Sequence, residues 1–209
     1  MISAVVPVKG LDDAKSRMFP ERAREELEAL SLAMMSDLVR CLCAVPELDR
    51  VAVTTPDARV ADAAKQAGAE PLLRDDPGLN AAIEAACHQL AGPSDGVLVV
   101  LGDVAAAAPD DIHALLEAGP EHGVSLAPSN DGGTSALFRR PPDVIPARFG
   151  RDSAARHRDA ALAAGVPYVE CTLPSLAIDI DFVEDARSAL DVESLGPATR
   201  AILEVWERS

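Results

Sequence analysis

Apolar positions follow two rhythms that alternate along the chain. Short apolar runs, Ile2 to Val8, Arg50 to Thr54 and Glu70 to Leu73, read as strands, the first two rich in β-branched residues. Leu27, Leu30, Met34, Leu38 and Val45 recur at helical spacing and predict a long helix over 21–44. A helix over 57–67 starts beside Pro56 and stops at Gly68. Leu79, Ile83, Ala86 and Leu90 mark the next helix. Val97 to Leu101 is continuously apolar, as expected of a strand covered on both faces. A helix over 109–117 follows. Strands over 124–127 and 134–138 are then split by the turn-rich run Ser129-Asn130-Asp131-Gly132-Gly133. Residues 153–164 read as helix, 168–173 and 177–181 as extended, and 197–207 as a last helix.

This alternation predicts a three-layer α/β sandwich around a mostly parallel sheet. The 209 residues suit one domain spanning 1–209, with no internal repeat or linker. In such sheets ligands bind beyond the carboxyl ends of the strands. Site residues are therefore expected just after Val8, Leu101, Ala127 and Ile178.

Charge and composition narrow the chemistry. A formal net charge of -15 disfavours nucleic-acid backbones and anionic membranes as partners. No apolar run approaches the roughly 18 residues that span a bilayer. The opening MISAVVPVKG reads as a first strand rather than a signal peptide, and a cytoplasmic protein is the expectation. Cys41, Cys43, Cys87 and Cys171 lack zinc-site spacing and are expected to be buried free thiols.

Six segments carry candidate chemistry. The exit of the first strand gathers Lys9, Lys15 and Arg17 in one loop, with neither a P-loop nor a dinucleotide glycine pattern. Cations and loop amides there suit a triphosphate, although charge alone fits a solvated loop equally well. Asp103 follows the buried strand directly, a position suited to a hard cation such as magnesium or to capping the next turn. On an extended segment Asp179 and Asp181 would share a face while Ile178 and Ile180 pack inward. Two carboxylates pointing together repel unless a cation or water separates them.

The region 139–158 holds Arg139, Arg140, Arg148, Arg151, Arg156 and Arg158, the best candidate in so acidic a chain for binding a small anion. Within it, Phe149-Gly150-Arg151-Asp152-Ser153 leads into a helix. Gly150 permits close backbone approach, and Ser153 with free N-terminal amides suits a phosphate or carboxylate. His157, one turn later, is read first as structural. Gly132 and Gly133 allow a tight turn, and Thr134 adds a hydroxyl, though a plain hairpin needs no more than Asp-Gly. Asn80, at a helix start, serves equally as a cap or as a contact to a nucleoside.

The order of these segments is more specific than any one of them. VPVKGLDDAKSRM, PGLNAAI, an Asp after a buried strand, PSNDGGTSAL, FGRDSAARH and DID together resemble the 2-phospho-L-lactate guanylyltransferase family, which includes phosphoenolpyruvate guanylyltransferases of coenzyme F-420 biosynthesis. The resemblance implies a nucleotide-diphosphosugar-transferase-like fold of the GT-A, Rossmann-like kind, a GTP donor and a small phosphorylated acid as acceptor. It implies that Lys9, Lys15 and Arg17 meet the triphosphate, that Asn80 lies near the nucleoside, and that Asp103, Asp179 and Asp181 hold magnesium. Thr134, Gly150 and Ser153 match the positions for the acid. Two departures stand out: Asp103-Val104-Ala105-Ala106 replaces an Asp-Leu-Pro-like run, and Ser135 stands where Asn is common.

The expected reaction is in-line attack of an acceptor phosphate oxygen on the α-phosphorus of GTP, with pyrophosphate leaving. Lys9, Lys15, Arg17 and Asp103 would carry the catalysis. The rivals are a nucleotidyltransferase for a sugar phosphate or a molybdenum cofactor, and a non-catalytic GTP-binding module. Among assemblies, a homodimer stays open.

Overall fold

A computed structural model describes residues 1–13, 18, 21–93, 95–178 and 180–208. Lys15, Arg17 and Asp179 lie outside the described residues.

The strands are β1 (Ile2–Pro7), β2 (Arg50–Thr55), β3 (Glu70–Leu73), β4 (Gly96–Val100), β5 (Gly123–Pro128), β6 (Thr134–Arg140) and β7 (Tyr168–Glu170). They form one seven-stranded sheet in the order β3-β2-β1-β4-β6-β5-β7. β1, β2, β3 and β4 pair in parallel, as do β5 and β7, while β6 runs antiparallel to both β4 and β5. The helices are α1 (Arg24–Cys43), α2 (Ala58–Ala67), α3 (Leu79–Leu90), α4 (Pro109–Glu117), α5 (Ser153–Ala164), α6 (Val183–Leu190) and α7 (Pro197–Glu207).

Both faces of the sheet are covered, which accounts for the uninterrupted apolar reading of β1 and β4. Ala4 and Val6 of β1 pack with Leu38 and Leu42 of α1, Val60 of α2 and Leu115 of α4 on one side. Val5 of β1 and Val99 of β4 pack with Ile83 of α3 and Ala161 of α5 on the other. The three-layer sandwich expected from the alternation is the observed architecture. Gly68 ends α2 in the left-handed region at φ 110°, where a Cβ would be strained.

A third apolar cluster closes one end of the molecule. Met18, Leu30 and Met34 meet Ala105, Ile180 and the α6–α7 pair through Leu203 and Trp206. Arg22 caps this packing, its guanidinium 4.7 Å from the Trp206 ring centre. Three segments with candidate chemistry, the loop after β1, the turn after β4 and the segment around Ile180, are thus seated on one core.

Two local expectations change. Residues 177–181 form no strand among the described residues: a 3-10 turn at Pro174–Leu176 leads into irregular backbone and then α6, which the sequence reading missed. Ile178 and Ile180 nevertheless pack inward as expected. Of the four free cysteines only Cys87 is buried; Cys43 is exposed. No helix among the described residues is long and apolar enough to cross a membrane.

Candidate active site

The strand order reverses between β1 and β4, and in such sheets ligands bind beyond the carboxyl ends of the strands at that point. The helices that follow these two strands, α1 and α4, both pack on one face of the sheet. The two exits touch. A Cβ on Gly102 would come within 2.8 Å of Val8 Cγ2 and 3.2 Å of the Pro7 carbonyl oxygen, so glycine is required by close approach. Asp103 follows at once, half-buried, on a turn closed by the Ala105 amide donating to its carbonyl at 2.9 Å.

Because β6 is antiparallel, its first residue lies at this same edge of the sheet. The Leu101 amide donates to the Ser135 carbonyl at 3.0 Å, which ties the Asp103 turn to the start of β6 beside Thr134. On the other flank, Ala105 packs with Ile180, next to Asp181. The Ala108 amide donates to Ser175 Oγ at 3.1 Å, and the Ser175 amide to Asp111 Oδ2 at 3.0 Å. Asp103, Thr134 and the Asp181 segment therefore belong to one neighbourhood.

An open cleft lies beside it, between the exits of β1, β2 and β3 and the first turns of α3. Lys9, Thr54, Arg74, Asp75, Asp76 and Leu79 line it. Thr54 is only 2% exposed, yet its Oγ1 has no hydrogen-bond partner among the described residues, and neither has the buried Nε of Arg74. Buried polar atoms are seldom left unpaired, so a cleft carrying two of them is suited to a polar occupant. The loop beyond Lys9 is tethered: the Leu11 amide donates to Asp57 Oδ2 at 3.0 Å. Hydrogen bonds from Arg59, then from the Leu11 and Arg59 amides, hold the Asp57 carboxyl down at about 2.

The second site is built around the β5–β6 turn and the start of α5. Ser153 Oγ and Thr134 Oγ1 lie 2.9 Å apart, and Thr134 Oγ1 is 3.1 Å from His157 Nδ1. His157 Nε2 accepts the Arg148 backbone N–H at 2.9 Å. All three side chains are buried, and the Phe149 ring meets the imidazole edge-on at 5.1 Å. Burial first, then the charges of Arg139, Arg156 and Arg148, push the imidazole down to about 4, so it is neutral at physiological pH.

Asn80 links the two sites. Its Nδ2 donates to the Phe149 carbonyl at 3.2 Å, and its Oδ1 accepts the Phe149 amide at 2.8 Å. It thereby fixes the backbone just before Gly150, whose φ of 117° favours glycine. Asp152, at φ 52°, makes no side-chain cap. The first amides of α5 are partly engaged, Ser153 N with the Gly150 carbonyl at 3.1 Å and Ala154 N with the Gly132 carbonyl at 3.3 Å. That leaves the helix N-terminus fewer free donors than the sequence suggested.

The arginine cluster also divides. Arg139 is 0% exposed and donates to Glu84 Oε1 and the Ile145 carbonyl, both at 2.8 Å, so it is structural. Glu84 also accepts the Ala147 amide at 2.6 Å. Arg140 stacks over Phe138. Arg151 and Arg158 pair with the adjacent Asp152 and Asp159. Among the described residues, Arg148 and Arg156 are exposed and carry no carboxylate partner. Thr54, Arg74 and Glu84 were missed in the sequence. A threonine closing an otherwise apolar parallel strand was the available signal for Thr54.

Comparison with known proteins gives the family and the fold. The chain is 39% identical over 184 residues to a phosphoenolpyruvate guanylyltransferase of Sphaerobacter thermophilus, covering 87% of this chain and 89% of that one. It is 35% identical over 209 residues to one of Nocardia farcinica, covering 97% and 90%. In fold it is similar to a Desulfovibrio desulfuricans structure described as a nucleotide-diphospho-sugar transferase, with TM-score 0.79, 16% identity and 99% and 95% of the two chains covered. A nucleotidyl transferase from Methanothermobacter aligns at TM-score 0.65 with 20% identity, over 90% of this chain and 95% of that one. The family described as "Guanylyl transferase CofC like" matches residues 2–191. This chain belongs to that family of guanylyltransferases.

Proposed function

We propose that this protein transfers GMP from GTP to the phosphate of phosphoenolpyruvate, releasing pyrophosphate, in the route to coenzyme F-420. The observation that carries the reading is the buried Thr134–Ser153–His157 group, set beside the unpaired Arg148 and Arg156 at the sheet edge that also carries Asp103. A small acid with two anionic groups suits hydroxyl donors and arginines together. The names of the relatives favour phosphoenolpyruvate over phospholactate or phosphoglycerate.

In this reading the base and ribose occupy the cleft lined by Thr54, Arg74 and Leu79, with Lys9 toward the phosphates. Lys15 and Arg17 complete the cationic loop. The acceptor's phosphate oxygen attacks the α-phosphorus, a new P–O bond forms, and the bond to the bridging oxygen of the β-phosphate breaks. The electron pair leaves with pyrophosphate. An acceptor phosphate is already ionised near neutral pH, so no side chain must remove a proton. His157 agrees with this, since both its nitrogens are engaged.

Asp103, Asp179 and Asp181 would hold magnesium. The donor set fits: carboxylate oxygens suit a hard cation, and Asp103 is half-buried on a closed turn beside the Ile180 packing. The ion when bound supplies charge neutralisation on the phosphate oxygens. The test is pyrophosphate release with GTP, magnesium and each acid in turn, with the fastest release expected from phosphoenolpyruvate. Silence with every acid, together with activity on a sugar phosphate, overturns the assignment.

A further inference from the structure

We infer that His157 is a positioning residue whose tautomer, set by the Arg148 backbone amide, leaves the Thr134–Ser153 pair with one hydroxyl hydrogen to donate to the anionic acceptor. The inference rests on the acceptor binding at that pair, as proposed above.

The argument is a count of hydrogens. The Arg148 amide can only donate, so His157 Nε2, at 2.9 Å, must present a lone pair. A neutral imidazole with a bare Nε2 carries its hydrogen on Nδ1. Nδ1 lies 3.1 Å from Thr134 Oγ1, so it donates there and Thr134 accepts. Ser153 Oγ and Thr134 Oγ1, 2.9 Å apart, share one hydrogen bond between them. Two hydroxyls bring two hydrogens, and their mutual bond uses one. The other is left for a ligand.

The opposite tautomer reverses the outcome. With Nδ1 bare, Thr134 would spend its hydrogen on the ring, Ser153 would spend its own on Thr134, and the pair would present only lone pairs. Lone pairs facing a phosphate or carboxylate repel it. The environment holds the productive tautomer: the His157 ring is fully buried, the Phe149 ring meets it edge-on, and Asn80 pins Phe149 from both sides. The Ala154 amide bonded to the Gly132 carbonyl at 3.3 Å holds α5 against the turn that precedes Thr134. The hydroxyl pair is thus a donor before any acid arrives, and the acid meets preorganised polarity rather than hydroxyls free to rotate.

Two readouts test this. Nitrogen-15 spectra of histidine-labelled protein without ligand should show one ring protonated at Nδ1 and bare at Nε2, assigned to His157 by its loss in His157→Gln. A ring protonated at Nε2, or at both nitrogens, near neutral pH overturns the inference, whatever the enzyme's activity. In kinetics, His157→Leu should raise the acceptor KM about tenfold or more while the GTP KM stays within about twofold, as for loss of a hydrogen bond to a charged group. His157→Gln, whose amide both donates and accepts, should recover most of that loss. Equal changes in both KM values, or no change in either, overturn the inference. If wild-type protein releases no pyrophosphate with any acid, the functional assignment falls and takes the acceptor with it. A wrong tautomer in an active enzyme sinks only the positioning role.

Discussion

The two halves of the site are finished to different degrees. The half proposed for the acceptor is internally bonded: Thr134, Ser153 and His157 bond one another with one hydroxyl hydrogen to spare, and Asn80 and Glu84 hold the surrounding backbone. The half proposed for the nucleotide is an open cleft with polar atoms on Thr54 and Arg74 that are unpaired among the described residues, and an exposed Lys9. A small acid offers few contacts, so its site must be oriented in advance. A nucleotide brings many polar groups and can complete its own site on arrival.

The contrast predicts a graded set of responses. The largest is at the junction of the halves. Asp103→Ala should cut turnover on the order of 1000-fold, because several kcal/mol of phosphate-charge stabilisation are lost with the metal. Circular dichroism of that variant should match the wild type, since Asp103 lies in a turn outside the buried core. Unchanged turnover would remove the metal argument.

Next comes the support of the acceptor half. Glu84→Ala leaves the Arg139 guanidinium buried without its carboxylate and should cost about 3 kcal/mol of stability, read as a lower urea midpoint. An unchanged midpoint would show that the Ile145 carbonyl and Cys87 Sγ, 3.3 Å from the guanidinium, alone satisfy Arg139.

Acid should strike the same half by a similar amount. The unfolded chain protonates His157 near its ordinary value of 6.5, whereas the folded chain does so only at about 4. The unfolded state therefore binds more protons in that window, and stability falls as pH falls through it. The total loss is about 3 kcal/mol, and His157→Gln should flatten it. Urea titrations between about pH 7 and about pH 4.5 would follow this slope.

The smallest effect belongs to the open half. Thr54→Val removes a hydroxyl that has no partner among the described residues, so stability should hold or rise slightly. The GTP KM should rise a few-fold, about the worth of one neutral hydrogen bond. A loss of stability instead would mean that Thr54 is bonded within the fold.

Much of this was legible in the sequence, and the gaps have physical causes. Hydrophobic rhythm located the strands of the three-layer sandwich because both faces of the sheet are buried and the runs are continuous. It failed at 177–181, where two isoleucines flanking an aspartate read as a strand. They pack inward from irregular backbone instead. Helix α6 was overlooked although Asp185 signals its start, accepting the Phe182 amide at 2.7 Å and the Asp181 amide at 3.0 Å.

Thr134, Ser153 and Gly150 were singled out by motif, and the structure brings the Thr134 and Ser153 hydroxyls together. What joins them, the His157 ring, was passed over because a lone histidine gives no hint of its partners. Arg139 was misplaced among the anion-binding arginines, since sequence cannot show that a strand arginine turns inward onto Glu84 55 positions earlier. Lys15, Arg17 and Asp179 lie outside the described residues, so their roles rest on the family resemblance.

The most direct test of the central claim is a crystal structure with phosphoenolpyruvate, magnesium and a GTP analogue that cannot release pyrophosphate. The acid should contact Thr134 and Ser153, its phosphate oxygen should face the α-phosphorus in line with the leaving group, and the metal should rest on Asp103. An acid bound away from Thr134 and Ser153, or a nucleotide outside the Thr54–Arg74 cleft, would contradict the account.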